Sequence, residues 1–179
     1  DAQSERNASI LSRDQQRMLA VARDWAASGR YAQAVRWAEG RLDRHHYSVL
    51  CREVLDLVRH DEEGFVELLR RHTGVLEEIE ATAGEHVLPE ARLMRLLTDP
   101  RDGSKAVIGV LEAPRYVSGR LSEDNLLAWV QFLSAAPELQ ISIGVILEPW
   151  RQSFARKASA EFKKRITGLT QAGVRKVGA

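Results

Sequence analysis

The sequence contains a single cysteine, Cys51. One thiol can close no internal disulfide and can supply no multi-thiolate metal site. No apolar run reaches the roughly 18 residues that mark a membrane-spanning helix. Proline is sparse, and the first of the 5 prolines is Pro89. Helices can therefore run without proline breaks through residues 1–88. The 12 glycines are scattered and form no GxGxxG turn, phosphate-binding loop or GxSxG elbow. A strong excess of charge of either sign is also missing, since the formal net charge is +1.

What is present is a 44% hydrophobic chain of 179 residues, enough to bury a real core. That length fits one domain, or one and a small appendage. The near-neutral total hides an asymmetry. Residues 1–149 hold 18 Lys+Arg against 24 Asp+Glu, a net of −6. Residues 150–179 hold Arg151, Arg156, Lys157, Lys163, Lys164, Arg165, Arg175 and Lys176 against Glu161 alone, a net of +7. A basic end on an acidic body suits nucleic acid, an acidic surface or an acidic partner.

Helical spacing dominates the chain. Ser12 and Gln15 form a capping-box pattern ahead of Met18, Leu19, Val21, Ala22 and Trp25. Gly29 is placed to end that helix. Further helices are expected at about 31–39, 47–59, 61–69, 75–81, 89–97 and 122–135. Ser122 is the expected cap of the last of these. Trp150, Phe154, Ala158, Phe162 and Ile166 fall four apart and predict a closing basic helix. The fold class read from this is all-α, in antiparallel hairpins forming a small solenoid or irregular bundle. The alternative is α+β, because residues 106–111 and 139–147 are rich in β-branched side chains. The expected organisation is a disordered segment at 1–9, a helical domain at 10–149, and a basic helix and tail at 150–179 packed on the same domain. The chain opens on Asp1 rather than Met, as a trimmed or processed product would.

Residues 18–42, MLAVARDWAASGRYAQAVRWAEGRL, resemble one tetratricopeptide-type helical hairpin. Ala22 and Ala34 take the small positions, Trp25 and Tyr31 the aromatic ones, and Gly29 the turn. The nearest echoes downstream, at Gly64 and Gly103, lack the aromatic and small-residue signature. The resemblance implies a scaffold that binds peptides or partner proteins. A shorter likeness lies at Arg41 and His46, whose R-x4-H spacing resembles the signature of HEPN ribonucleases. There it would imply RNA cleavage. The other histidines, His45, His60, His72 and His86, show no ligand spacing. No metal, cofactor or catalytic residue is assigned.

The function expected is a non-enzymatic interaction module, adaptor- or chaperone-like, of the kind found in bacterial secretion or regulatory assemblies. Its anchors would be Trp25, Tyr31, Trp37, Trp150 and Phe154, since aromatics dominate binding hot spots. The rival is a nucleic-acid-binding protein using Arg151, Arg156, Lys157, Lys163, Lys164 and Arg165. The expected partner is another protein or peptide, with no membrane-spanning segment. The lone thiol fits a reducing cytoplasm as the expected compartment.

Overall fold

The computed structural model describes residues 2–98, 113–135 and 159–168. The fold is all-α: every element among the described residues is a helix and none is a strand. The segments weighed as strands, 106–111 and 139–147, lie outside the described residues, as does the expected junction at residue 150. The chain divides into two compact units, Asp1–Val87 and Leu88–Ala179.

The first unit holds five helices: α1 (Ala2–Ala27), α2 (Tyr31–Glu39), α3 (Arg44–Arg59), α4 (Glu62–Arg71) and α5 (Thr73–Ala83). Two expectations about its start are corrected. Residues 2–9, expected to be disordered, belong to α1. Their Ala, Gln, Glu and Arg are good helix formers, which apolar content alone does not register. Ser12 therefore lies within α1 rather than capping it. Gln15 does different work: its Nε2 donates to the Arg41 carbonyl at 3.1 Å, and its Oε1 accepts from Asp43 N at 2.8 Å. The glutamine ties α1 to the turn between α2 and α3.

The remaining boundaries follow local chemistry. Gly29 ends the first hairpin's turn at φ +85°, a left-handed conformation that side chains disfavour. Helix α3 begins at Arg44, ahead of the expected Tyr47, because Asp43 is its cap. The Asp43 carboxylate accepts from His46 N at 2.9 Å and pairs with His46 Nδ1 at 2.8 Å. His45 and His46 thus sit on a helix rather than in a connector. Asp61 caps α4 by accepting from Gly64 N at 3.0 Å.

Packing repeats at a nearly fixed interval. Ala22, Ala34 and Ala38 are fully buried and let α1, α2 and α3 come close. Leu50, Cys51, Val54, Phe65, Leu76 and Ile79 fill the rest of the interior with no exposure. Hydrogen bonds between helices join residues about one hairpin apart. Gln15 reaches Asp43 at a separation of 28, and Arg23 reaches Glu53 at 30. Tyr31 reaches Asp61 at 30, Tyr47 reaches Glu78 at 31, and Arg59 reaches Val87 at 28. The pairings run α1 alongside α3 and α3 alongside α5 in one direction, with the start of α2 beside the start of α4.

In the second unit the described helices are α6 (Glu90–Leu97), α7 (Pro114–Arg120), α8 (Glu123–Ser134) and α9 (160–168). Ser122 caps α8, as expected, by accepting from Asn125 N at 3.3 Å. Glu90 accepts from Asn125 Nδ2 at 2.8 Å and from Ser122 N, joining α6 to α8. Those bonds hold the Glu90 carboxyl below its usual range. Arg120 donates to the Leu88 carbonyl. Leu93, Leu97, Val117, Trp129 and Val130 are fully buried. Phe162 and Ile166, on one face of α9, are buried as well.

Candidate functional site

A concave feature of the first unit is made largely by its first hairpin. Trp25 near the end of α1, Ala32, Gln33, Arg36 and Trp37 on α2, and His72 between α4 and α5 line a hollow of about 480 Å³. That volume falls in the range of ordinary binding clefts, roughly 300–1,000 Å³. Helical periodicity sets the α2 contribution. Gln33, Arg36 and Trp37 are three and four apart, so they share a face opposite buried Ala34, Val35 and Ala38.

Two tryptophans form the floor. Their rings meet edge-to-face with centroids 5.4 Å apart and planes at 78°. This geometry suits aromatic quadrupoles and holds both rings in place. Arg41 reinforces it from one side, with its guanidinium carbon 4.8 Å from the Trp37 ring centroid. The same side chain donates from Nη1 to the Trp37 carbonyl at 2.8 Å. At the end of α1, the Trp25 carbonyl accepts from Ser28 Oγ at 2.8 Å and Arg30 N at 3.0 Å. Both tryptophans are half-buried, while Gln33 and Arg36 are exposed. The hollow is an open face rather than an enclosed cavity.

Of the expected partner-binding residues, the structure brings Trp25 and Trp37 together. Tyr31 is not beside them as an accessible anchor, which corrects the sequence reading. It is 7% exposed, and its hydroxyl donates to Asp61 Oδ2 at 2.7 Å. Burial, then the Asp61 carboxylate, pushes its phenol up to about 12. The sequence treats Tyr31 as one more aromatic near the turn, yet it is the inward residue of α2's first turn. Trp150, Phe154, Arg151, Arg156 and Lys157 lie outside the described residues. Lys163, Lys164 and Arg165 are exposed on α9 beside buried Phe162 and Ile166.

Arg41 and His46 are committed to different partners. Arg41 lies on Trp37, and the His46 ring is held by Asp43, whose carboxyl is lowered mainly by His46's backbone N–H and ring. Cys51 is fully buried and its thiol is pushed up to about 11 by desolvation. A thiol so placed is a packing group, not a nucleophile. Among the described residues, no group of three or more His, Cys, Asp and Glu is arranged to hold a metal ion.

Ala32, Gln33, Arg36 and His72 are the lining residues that sequence reasoning missed, and of these Gln33, Arg36 and His72 are polar. Gln33 and Arg36 were legible in principle, since they lie four and one positions before Trp37 on α2. His72 belongs to another element and no local pattern links it to the tryptophans. Compared with known proteins, the chain matches no family model, no curated protein and no solved structure.

Proposed function

We propose that this chain is a non-enzymatic protein-interaction module, adaptor- or chaperone-like, whose first unit is a short tetratricopeptide-like array. It docks a segment of a partner protein on the Trp25–Trp37 face. The observation that carries this reading is the preset aromatic pair, half-exposed on a hollow of about 480 Å³. Tryptophan and arginine at a concave face are the residue types that anchor protein contacts. The narrow interval between helix-to-helix hydrogen bonds, 26 to 31 residues in the pairs above, supports the repeat-like part of the reading.

The test is a peptide array probed with the full chain and with two variants. Trp25→Ala/Trp37→Ala removes the floor, and Ala32→Arg fills the hollow while leaving the tryptophans in place. Wild-type protein is expected to retain a subset of peptides that neither variant retains, with helicity by circular dichroism unchanged in Ala32→Arg. Equal retention by wild type and Ala32→Arg defeats the reading.

A second reading rests on Lys163, Lys164 and Arg165, exposed side by side on α9. These cations would contact phosphates of nucleic acid, with affinity falling steeply as salt rises. Absence of gel retardation of labelled RNA and DNA at low salt eliminates it.

A further inference from the structure

The hollow has a chemistry that narrows its occupant. No carboxylate is among its lining residues, and its polar groups are Gln33, Arg36 and His72. Arg36 is exposed, and its guanidinium has no salt bridge or hydrogen bond among the described residues. Three other arginines of the unit hold carboxylates, whereas Arg36 is the charged group on the rim of the hollow. Arg23 grips Glu53 with two bonds of 2.7 and 2.6 Å. Arg59 meets Glu85 at 2.7 Å, and Arg71 meets Glu67 at 3.4 Å. Arg36 thus leaves an uncompensated cation beside an apolar floor. His72 adds a buried Nδ1 with no hydrogen-bond partner among the described residues.

We infer that the Trp25–Trp37 hollow takes an acidic–apolar segment of another protein, in which a large apolar side chain lies within a few residues of an Asp or Glu that pairs with Arg36. The inference rests on the docking reading above and adds the partner's chemistry. An apolar side chain covers the half-exposed indoles and Ala32. The neighbouring carboxylate meets the guanidinium in the geometry that favours arginine over lysine. Because the hollow is an open face, a segment can run across it without ending there. The carboxylate is therefore taken to be a side chain rather than a chain terminus.

A nucleic-acid strand fits less well. Residues 1–87 hold 12 Arg and no Lys against 16 Asp+Glu, a net of −4. A polyanion would cross that acidic unit, whereas one carboxylate needs only the local cation within a Debye length of about 8 Å.

End-blocked, fluorescein-labelled ten-residue peptide pools provide the test, read by polarisation against the full chain. Each pool carries Leu, Ile, Phe or Trp at the centre, flanked by Glu, by Gln or by Lys. Ten-residue oligothymidylate is a fourth probe. The Glu pool is expected to bind up to about fivefold tighter than the Gln pool, the upper end for an exposed ion pair. Arg36→Gln should erase that preference, and Arg36→Glu should transfer it to the Lys pool. Arg44→Gln, an exposed arginine on α3, should leave it intact. Equal binding of Glu and Gln pools, or a preference that survives Arg36→Gln, overturns the inference. So does oligothymidylate displacing the Glu pool. If pools of every charge bind and Ala32→Arg abolishes all of it, docking stands and only the charge assignment falls. If no pool binds at all, both readings fall together.

Discussion

Gly64 has no room for a side chain. A Cβ there would lie 2.5 Å from Asp61 Oδ2 and 2.6 Å from Tyr31 Cε2. Tyr31 and Asp61 are themselves bonded, so the three residues form one contact between α2 and the start of α4. Gly64→Ala must push apart a buried ring and a helix cap. It is expected to cost about 2 kcal/mol, within the range for overpacking a tight site. A lower urea midpoint with an unchanged slope would verify it. Tyr31→Phe should cost about 1 kcal/mol near neutral pH by deleting the hydroxyl's bond. Its pH signature is specific. The phenol's folded-state pKa is raised to about 12, so the protonated form is the one that folding favours. That contribution is complete below the ordinary value of roughly 10 and is lost as pH climbs toward 12. The stability gap between wild type and Tyr31→Phe should therefore close across that alkaline window. Gly64 reads in the sequence only as a residue after two glutamates, because the clash depends on Tyr31, a residue 33 positions earlier.

Among the helices, ends were less legible than interiors. The span of α2 was readable in full from its apolar spacing and Gly29. The starts of α1 and α3 were not, and in each case a side chain had two available partners. Gln15 could reach back to its own helix or across to Asp43, and the tertiary contact wins. Asp43 reads as part of a connector until its carboxylate is seen accepting from His46 N. Helix α9 shows the same principle at longer range. Its cap, Ser159, offers Oγ to Phe162 N at 3.2 Å while donating from Oγ to Glu123 at 3.0 Å. Ser159 N also donates to Glu123 at 3.0 Å. Ser159→Ala is expected to destabilise by about 1 kcal/mol, the usual cost of a lost cap. Ser159→Asp preserves the cap but sets a second carboxylate against Glu123, so it should not rescue at neutral pH. Amide exchange at Phe162 would report both, with faster exchange expected in each variant.

At the scale of the molecule, the first unit ends on a clasp. The Arg59 guanidinium donates to the carbonyls of Val87 and His86, each at 2.9 Å, and to Glu85 at 2.7 Å. Buried Glu80 accepts from Val87 N at 2.9 Å, so both backbone groups of Val87 are satisfied by side chains. Val87 itself is fully buried. A fragment ending at Val87 is therefore expected to fold cooperatively and keep the helices α1 to α5, as measured by circular dichroism during thermal melting. Arg59→Lys in that fragment should lower stability by about 1–2 kcal/mol. A lysine's compact ammonium cannot reproduce donors spread over Nε and Nη2, which reach three acceptors on three successive residues. Independent folding with no loss in Arg59→Lys would show the clasp to be energetically idle.

The sequence alone pointed to a helical fold and to most of its inner faces, though Val21, read on the apolar face of α1, is exposed, and it placed Trp25 and Trp37 on either side of a hairpin turn. Those properties come from spacing of three and four residues and from local turn chemistry, which neighbours in sequence decide. Tertiary structure decided which aromatics are accessible. It turned Tyr31 inward to Asp61, set Trp25 against Trp37, and brought His72 to the same hollow. It also decided the pairing of charges, leaving Arg36 without a carboxylate among the described residues while Arg23 and Arg59 hold theirs. A count of charges fixes only their sum. Which cations find a carboxylate depends on helices stacked about 30 residues apart, an interval carried by contacts such as Arg23 to Glu53.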